Sequence, residues 1–336
     1  MSSFQPSAAV PTLHTAPDAH GGGPPAEKQR AAGLSVASNS TLILLKVIAG
    51  TLTGSVAILT EAVHSSVDLI ASLVAFFSVR KAGEPADETH RYGHERMEDL
   101  AAAIEGVLIL VGSAAIAFEA VRRLLSGGRT HTLGLGIAVI AVSTVVNLVV
   151  SAVLARRGRA TASPALMADA AHLRTDALSS GIVLLALVLV DATGQQWIDP
   201  VAALLVAAAI VITGVRLLTG AGQVLVDQAL PGEEVTAVRK AIESFGTTHG
   251  VVGYHELRSR RGGSQRYIDV HVQFRSGTSL ENAHRTAHQL QAVIARALGG
   301  ADVLIHLEPQ DRVRPGETLV EPPAPSSATG SPTKTD

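Results

Sequence analysis

The stretch AILTEAVHSSVDLIASLVAFF, residues 57–77, places a histidine and an aspartate inside a long apolar segment. A second apolar segment repeats this pattern, so that His64-x-x-x-Asp68 has a counterpart in His172-x-x-x-Asp176. At this spacing the two side chains project from one face of a helix, about 6 Å apart along its axis. Because ionisable side chains are costly inside a membrane, they are usually functional there. Two such helices facing each other predict a metal site.

The composition of the whole chain is that of a membrane protein. Its 336 residues are 47% hydrophobic and only 17% charged, and the mean hydropathy is +0.31. A net charge of -2 implies no large basic surface, which argues against nucleic acid as a partner. The chain has no cysteine, so any metal ligands have to be histidine, carboxylate, amide or backbone groups.

Six apolar stretches are long enough for the roughly 20 residues that a membrane-spanning helix needs. We expect these spans near residues 33–53, 55–81, 99–125, 132–155, 163–191 and 199–221. Arginine and lysine are concentrated in the second and fourth loops and before the first span, which predicts that both termini are cytoplasmic. The predicted six-helix transmembrane domain covers residues 31–222 of this α-helical membrane protein.

Residues 223–311 are predicted to form a small cytoplasmic α+β domain. Hydrophobic periodicity switches between helical and period-two patterns in the order α-β-β-α-β. The predicted elements are Glu233–Phe245, Tyr254–Arg260, Arg266–Phe274, Leu280–Leu298 and Asp302–Leu307. Gly262-Gly263 has the composition of a hairpin turn between the first two strands. The proline-rich tails, residues 1–30 and 312–336, lack apolar periodicity and are predicted to be disordered.

The paired motifs supply two imidazoles and two carboxylates, enough to enclose a divalent ion tetrahedrally. A single histidine would be explained equally well by a hydrogen bond between helices, but the same offset in two spans favours metal ligation. This ligand set suits Zn²⁺ best and tolerates Fe²⁺ or Co²⁺. Since only neutral imidazole binds metal, protons compete for both rings. Glu61 and Asp169 either orient these imidazoles or make hydrogen bonds at helix interfaces.

Two further groups have spacing that suits a metal ion. Asp87, His90 and His94 share the loop after the second span, although a solvated polar turn would have the same composition. Four histidines lie on different predicted elements of the cytoplasmic domain, with a carboxylate on the strand face of the last one. These residues are His255, His271, His284, His306 and Glu308. Their convergence predicts a metal cluster.

Together these motifs resemble the cation diffusion facilitator family of proton-coupled zinc and iron exporters. The likeness runs from residue 31 to about residue 311. Its matching stretches are Gly54–Leu59, Ala62–Asp68, Pro85–His94, Ala168–Asp176 and Asp227–Pro231. The resemblance implies a transport site at His64, Asp68, His172 and Asp176. It also implies a second site at Asp87, His90 and His94, and a cytoplasmic binuclear site at His255, His271, His284, His306 and Glu308.

The resemblance carries further expectations about assembly and metal preference. It implies a homodimer in a bacterial inner membrane, a ferredoxin-like cytoplasmic domain that senses zinc, and a buried charge pair between subunits at Arg96 and Asp227. His64 stands where the best-known bacterial members have aspartate, which favours zinc over cadmium. Glu308 also stands where those members have aspartate.

The predicted function is therefore export of zinc, or of iron or cobalt, in exchange for protons. One alternative is an intramembrane metal-dependent hydrolase, but four protein ligands leave no coordination position for water. Another is a metal-sensing membrane scaffold, in which the cytoplasmic histidines would be the working part. Zinc uptake driven by a pH gradient would separate the exporter from both alternatives.

Overall fold

A computed structural model describes residues 25–53, 56–126, 134–195 and 197–310. Its first six helices are α1 (Pro25–Thr53), α2 (Val56–Ala82), α3 (Arg96–Ser126), α4 (Gly134–Ala160), α5 (Pro164–Thr193) and α6 (Ile198–Leu225). Each predicted span coincides with one of them. The first helix nevertheless begins at Pro25, inside the tail that composition predicts to be disordered. The predicted tails otherwise lie outside the described residues.

The six helices pack into one bundle. Within the part of the chain that the structure describes, α1, α3, α4 and α6 have the length and apolar composition of a membrane span. The two motif-bearing helices, α2 and α5, contact each other, and each also packs against α1, α3 and α4. This packing brings the polar faces of α2 and α5 into the interior of the bundle.

Helices α3 and α6 approach each other closely through two glycines. A Cβ atom on Gly106 would lie 3.0 Å from the backbone nitrogen of Leu218. A Cβ atom on Gly214 would lie 2.9 Å from Cγ of Leu110 on α3. A larger residue at Gly106 would have to displace the backbone of α6 and one at Gly214 would have to displace the Leu110 side chain, so both glycines favour the close approach of α3 to α6.

The cytoplasmic domain has the predicted α-β-β-α-β order. Its elements are α7 (Gly232–His249), β1 (Val251–Gly262), β2 (Gln265–Phe274), α8 (Leu280–Ala297) and β3 (Asp302–Pro309). The sheet order is β1-β2-β3, with β1 antiparallel and β3 parallel to β2. Both helices cover one sheet face around buried residues such as Ile242, Ile268 and Leu290, so the domain has its own core.

The β1–β2 hairpin turns one residue later than the sequence suggests. Gly262 still pairs with Gln265, which leaves Gly263 and Ser264 as the turn. Gly263 has φ +57, and a Cβ atom there would lie 2.4 Å from the carbonyl oxygen of Glu95. Glycine is therefore required both by the turn and by the contact with the membrane domain.

Glu234, in the first turn of α7, holds both strands of this hairpin. Arg261 Nη2 donates to its carboxylate at 2.8 Å, and Arg266 Nε donates at 3.0 Å. Partial burial raises the pKa of Glu234, but the two guanidinium groups outweigh burial and bring the pKa below its ordinary value of 4.5. The bonds to Glu234 therefore stabilise the hairpin while the carboxylate is charged.

We expect Glu234→Gln to increase hydrogen exchange of the hairpin amides at neutral pH. An acid whose pKa is depressed by folding contributes stability above its unfolded pKa, and this contribution is lost as the pH falls through the folded value. The difference between variant and wild type should therefore shrink progressively below pH 4.5. A difference in hydrogen exchange that stays constant below pH 4.5 would show that the charge of Glu234 does not stabilise the hairpin.

Candidate metal centres

The first candidate centre lies between α2 and α5 inside the bundle. Asp68, His172 and Asp176 each offer a ligand atom, and these atoms all lie within 4.8 Å of one another. His172 Nε2 is 3.4 Å from Asp68 Oδ1 and 3.6 Å from Asp176 Oδ2. Asp68 and His172 are buried. Two separate helices thus bring an imidazole and two carboxylates to one point.

Hydrogen bonds from α1 and from α2 itself hold the backbone beside this centre. Ser72 Oγ donates to the carbonyl oxygen of Asp68 at 3.0 Å, and the amide of Asn39 on α1 donates to the same carbonyl at 3.3 Å. Asn39 also donates to Ser72 Oγ, so the three residues form one buried unit. This unit fixes the turn of α2 from which Asp68 projects.

The side chain of His64 lies outside the described part of α2. Asp169 is completely buried but makes no hydrogen bond to His172, whose ring nitrogens have no hydrogen-bond partner among the described residues. Asp169 therefore does not orient that imidazole in this structure.

The second candidate centre is in the loop between α2 and α3. Asp87 Oδ1 is 3.4 Å from His90 Nδ1, and Asp87 Oδ2 is 3.2 Å from His94 Nε2. Hydrogen bonds from the Thr89 hydroxyl and from the backbone N–H of His90 hold the pKa of Asp87 well below its usual range. His94 is buried, whereas Asp87 and His90 are exposed. The three predicted loop residues therefore converge.

The third candidate centre lies on the sheet of the cytoplasmic domain. His255, His271 and His306 are direct neighbours on β1, β2 and β3. Glu308 reaches two of them: one carboxylate oxygen lies 2.6 Å from His255 Nε2, and the other lies 2.9 Å from His271 Nδ1. Burial raises the pKa of Glu308, but the contacts with these two rings bring it below its ordinary value. His306 is more distant, 3.8 Å from Glu308.

Glu256 joins this centre, although the sequence pattern gave no sign of it. Strict alternation would direct Glu256 to the opposite sheet face from His255. The pairing of β1 with β2 shifts register between His255 and Arg258, and Glu256 has φ +49. This bulge brings Glu256 Oε2 to 3.4 Å from His271 Nε2.

His284 lies apart from these residues within the chain. It is exposed on α8, and its Nε2 atom is 3.1 Å from Nε2 of His288, one turn further along the helix. The structure therefore brings His255, His271, His306 and Glu308 together, but not His284.

Arg96 and Asp227 form a charge pair within one chain. Arg96 Nη2 donates to Asp227 Oδ1, and Arg260 of β1 donates to the same oxygen at 3.3 Å. Within one chain the Arg96 and Asp227 side chains are 40% and 53% exposed, and the pairing between subunits that the resemblance implies stays a prediction. Asp227 thus joins α3 to the cytoplasmic domain at the end of α6.

A buried polar network, the hairpin junction, joins the two domains beside this pair. Lys28 Nζ of α1 donates to Glu98 Oε1 at 2.9 Å and to Ser264 Oγ at 3.1 Å. Ser163, which caps α5, donates to the other oxygen of Glu98. The N–H of Gly263 donates to Asp99 Oδ2 at 2.7 Å. The tip of the β1–β2 hairpin is therefore bonded to the cytoplasmic ends of α1 and α3.

Comparisons with known proteins agree with this architecture. The family model "Cation efflux transmembrane domain" matches residues 33–226, and "Cation efflux protein, cytoplasmic domain" matches residues 230–310. An uncharacterized transporter of Synechocystis sp., sll1263, is 35% identical over 82% of this chain and 88% of its own length. The cation-efflux pump FieF of Serratia proteamaculans is 35% identical over 83% of this chain and 92% of its own length.

A solved structure of the zinc form of CzrB matches 26% of this chain and 98% of that chain, with 31% identity and a TM-score of 0.25. The two family models together span the helical bundle and the α+β domain. The C-terminal domain is accordingly cytoplasmic, and the protein crosses the membrane several times. The chain belongs to the cation efflux family, also called cation diffusion facilitators, and is a transporter rather than an enzyme.

Proposed function

We propose that this chain exports a divalent transition-metal ion, with zinc as its main substrate, in exchange for protons. The observation that carries the proposal is the group formed by Asp68, His172 and Asp176 inside the membrane domain. A histidine and two carboxylates in a buried position have no role in spanning a bilayer. The relatives named cation-efflux pumps support a transport role for this group.

The distances within this group suit a small tetrahedral ion. Ligand atoms bonded to zinc at about 2.0–2.2 Å stand about 3.3–3.6 Å apart at tetrahedral angles. The separations of 3.4 and 3.6 Å from His172 Nε2 fall in this range. His64, one turn before Asp68, supplies the fourth ligand in this proposal. Fe²⁺ and Co²⁺ accept the same ligand types and are the secondary substrates.

Proton exchange follows from the chemistry of the ligands. Imidazole binds a metal ion only when it is neutral, and a carboxylate only when it is ionised. Metal arriving from the cytoplasm therefore displaces protons, and protons arriving from the opposite side displace the metal. Each cycle returns the group to its starting state, because every N–H or O–H bond formed when a proton displaces the metal is broken when metal binds again.

Reconstitution in lipid vesicles tests this function. With purified protein in vesicles whose lumen is acidic, we expect external zinc to accumulate and the lumen to become less acidic at the same time. An ionophore that abolishes the pH gradient should stop the accumulation. Zinc accumulation that does not depend on the gradient would contradict proton exchange, and no accumulation with any metal would contradict transport.

We further propose that the protein is a homodimer in a bacterial inner membrane, with both termini cytoplasmic. An even number of spans puts the N-terminus on the same side as the cytoplasmic domain. The matched cytoplasmic family model carries the name ZT_dimer. Light scattering of the purified protein should give the mass of two chains, and a single-chain mass at all concentrations would contradict the dimer.

The cytoplasmic histidines are proposed to sense zinc. His255, His271 and Glu308 link all three strands, and β1 continues into the hairpin that contacts α1 and α3. Metal bound on the sheet would change the geometry of the hairpin junction and thereby the positions of the membrane helices. The loop residues Asp87, His90 and His94 are proposed as a further metal site at the cytoplasmic surface.

We expect Glu308→Gln to weaken zinc binding to the cytoplasmic domain about 10- to 100-fold, because two histidines lose the carboxylate that they share. Glu281→Gln is the matched control, since Glu281 is 88% exposed on α8. Both variants are titrated with zinc as full chains that also carry Asp68→Asn. This background substitution removes a ligand of the membrane centre, so the titration reports the remaining sites. Equal affinity in the two variants would show that Glu308 takes no part in zinc binding.

A further inference from the structure

Gln273 of β2 carries a buried amide group that the contacts described so far do not explain. Its side chain is completely buried, and neither its Oε1 nor its Nε2 atom has a hydrogen-bond partner among the described residues. Most buried polar groups in folded proteins are hydrogen-bonded, because leaving such a group unpaired costs free energy. The question is which group nearby can pair with this amide.

Gln273 lies on the face of the sheet that carries the third candidate centre. Its chain neighbours Val272 and Phe274 belong to the core between the sheet and the two helices. Because side chains alternate along a strand, Gln273 is on the opposite face, together with His271. In the register of β2 with β3, Gln273 stands directly beside Glu308. Gln273 is therefore a neighbour of two residues of the centre.

The strand register also sets how close Gln273 is to the Glu308 carboxylate. The Cα atoms of Gln273 and Glu308 are about 4.8 Å apart, the usual spacing of paired strands. Glu308 leans across β2, since its oxygens reach His271 Nδ1 at 2.9 Å and His255 Nε2 at 2.6 Å. On the other side Gln273 pairs with Gly253 of β1, which has no side chain to separate the amide from the carboxylate.

Metal binding changes what the Glu308 oxygens can accept. In this structure each oxygen is bonded to a histidine nitrogen, which has to carry a proton to donate. An ion that binds the nitrogens facing Glu308 takes the place of both protons. One oxygen of Glu308 then binds the ion, and the other needs a new donor. Since the Glu308 side chain is only 16% exposed, a donor from the protein is favoured over bulk water.

We propose that Gln273 is a positioning residue of the cytoplasmic metal centre, whose Nε2–H group donates to the free oxygen of Glu308 when zinc is bound. This hydrogen bond gives the buried amide its partner and holds Glu308 in the orientation that binds the ion. The unpaired amide also makes the metal-free sheet less stable, so Gln273 favours zinc binding in both states. The inference rests on the proposed zinc sensing and adds a residue to that site.

Gln273→Met tests the inference, because methionine keeps the length of the side chain and removes the donor. We expect the zinc affinity of the full chain, again carrying Asp68→Asn, to fall about tenfold. Gln289→Met on the exposed side of α8 is the matched control and should bind zinc as the parent does. Without metal, hydrogen exchange of the β2 and β3 amides should be no faster in Gln273→Met than in the parent.

A double variant shows whether Gln273 acts through Glu308. In a chain that already carries Glu308→Gln, adding Gln273→Met should change zinc affinity by no more than about twofold. A further tenfold fall there, or unchanged affinity when Gln273→Met is made with Glu308 intact, would overturn the inference. Weaker binding together with faster exchange in the metal-free protein would overturn it as well, since that result indicates a packing role. Normal affinity in Glu308→Gln alone would instead remove the proposed sensing site, and the inference with it.

Discussion

Asp68→Asn is expected to reduce zinc transport at least about 100-fold while leaving the fold intact. Asparagine has nearly the same size, but it lacks the negative charge that faces His172 Nε2 at 3.4 Å. Loss of even an outer-shell partner commonly costs 10- to 100-fold in metal affinity, and a direct ligand should cost more. Because Asp68 is buried, water cannot readily replace the missing oxygen.

Ser66→Ala is the matched control for this experiment. Ser66 is in the same turn of α2, but it is exposed and its hydroxyl bonds only to the helix itself, at the carbonyl oxygen of Ala62. Zinc flux in vesicles should be normal for this variant and nearly absent for Asp68→Asn at equal protein content. Near-normal flux through Asp68→Asn would remove Asp68 from the transport site.

Lys28→Met is expected to destabilise the protein by about 3–5 kcal/mol, the usual cost of leaving one partner of a buried ion pair uncompensated. The side chains of Lys28 and Glu98 are only 7% and 0% exposed. Methionine keeps the bulk but not the charge, so Glu98 would retain only its bond from Ser163. The bond from Lys28 to Ser264 at the hairpin tip is lost as well.

A second substitution distinguishes the buried charge from simple loss of packing. The double variant Lys28→Met, Glu98→Gln should recover most of the lost stability, because no uncompensated charge remains. Lys81→Met breaks an exposed pair with Glu84 and should leave the stability nearly unchanged. Unfolding in detergent measures all three variants. A double variant no more stable than Lys28→Met alone would contradict a coupled pair.

Much of the fold can be predicted from hydrophobic periodicity. The six spans and the α-β-β-α-β order follow from patterns that lie within each element. The early start of α1 does not, because Glu27 to Arg30 are polar and the burial of Lys28 depends on Glu98 and Ser264 far away in the chain. The exact turn residues of the hairpin were missed for the same reason, since Gly263 is placed by contact with α3.

The same contrast between local sequence patterns and long-range contacts applies to the candidate sites. Asp68, His172 and Asp176 could be identified because an ionisable pair is conspicuous in an apolar helix. Glu256 could not, since a bulge reverses the face on which alternation would place it. The distance of His284 from the other cytoplasmic histidines likewise depends on tertiary structure.

Anomalous X-ray scattering from crystals grown with zinc tests whether the membrane bundle binds this metal. Data collected on both sides of the zinc absorption edge should give a peak between α2 and α5, within bonding distance of Asp68, His172 and Asp176. The same peak should be missing in crystals of Asp68→Asn. Zinc peaks confined to the loop and the cytoplasmic sheet, with none inside the bundle of the wild-type protein, would contradict a zinc-binding transport site in the membrane.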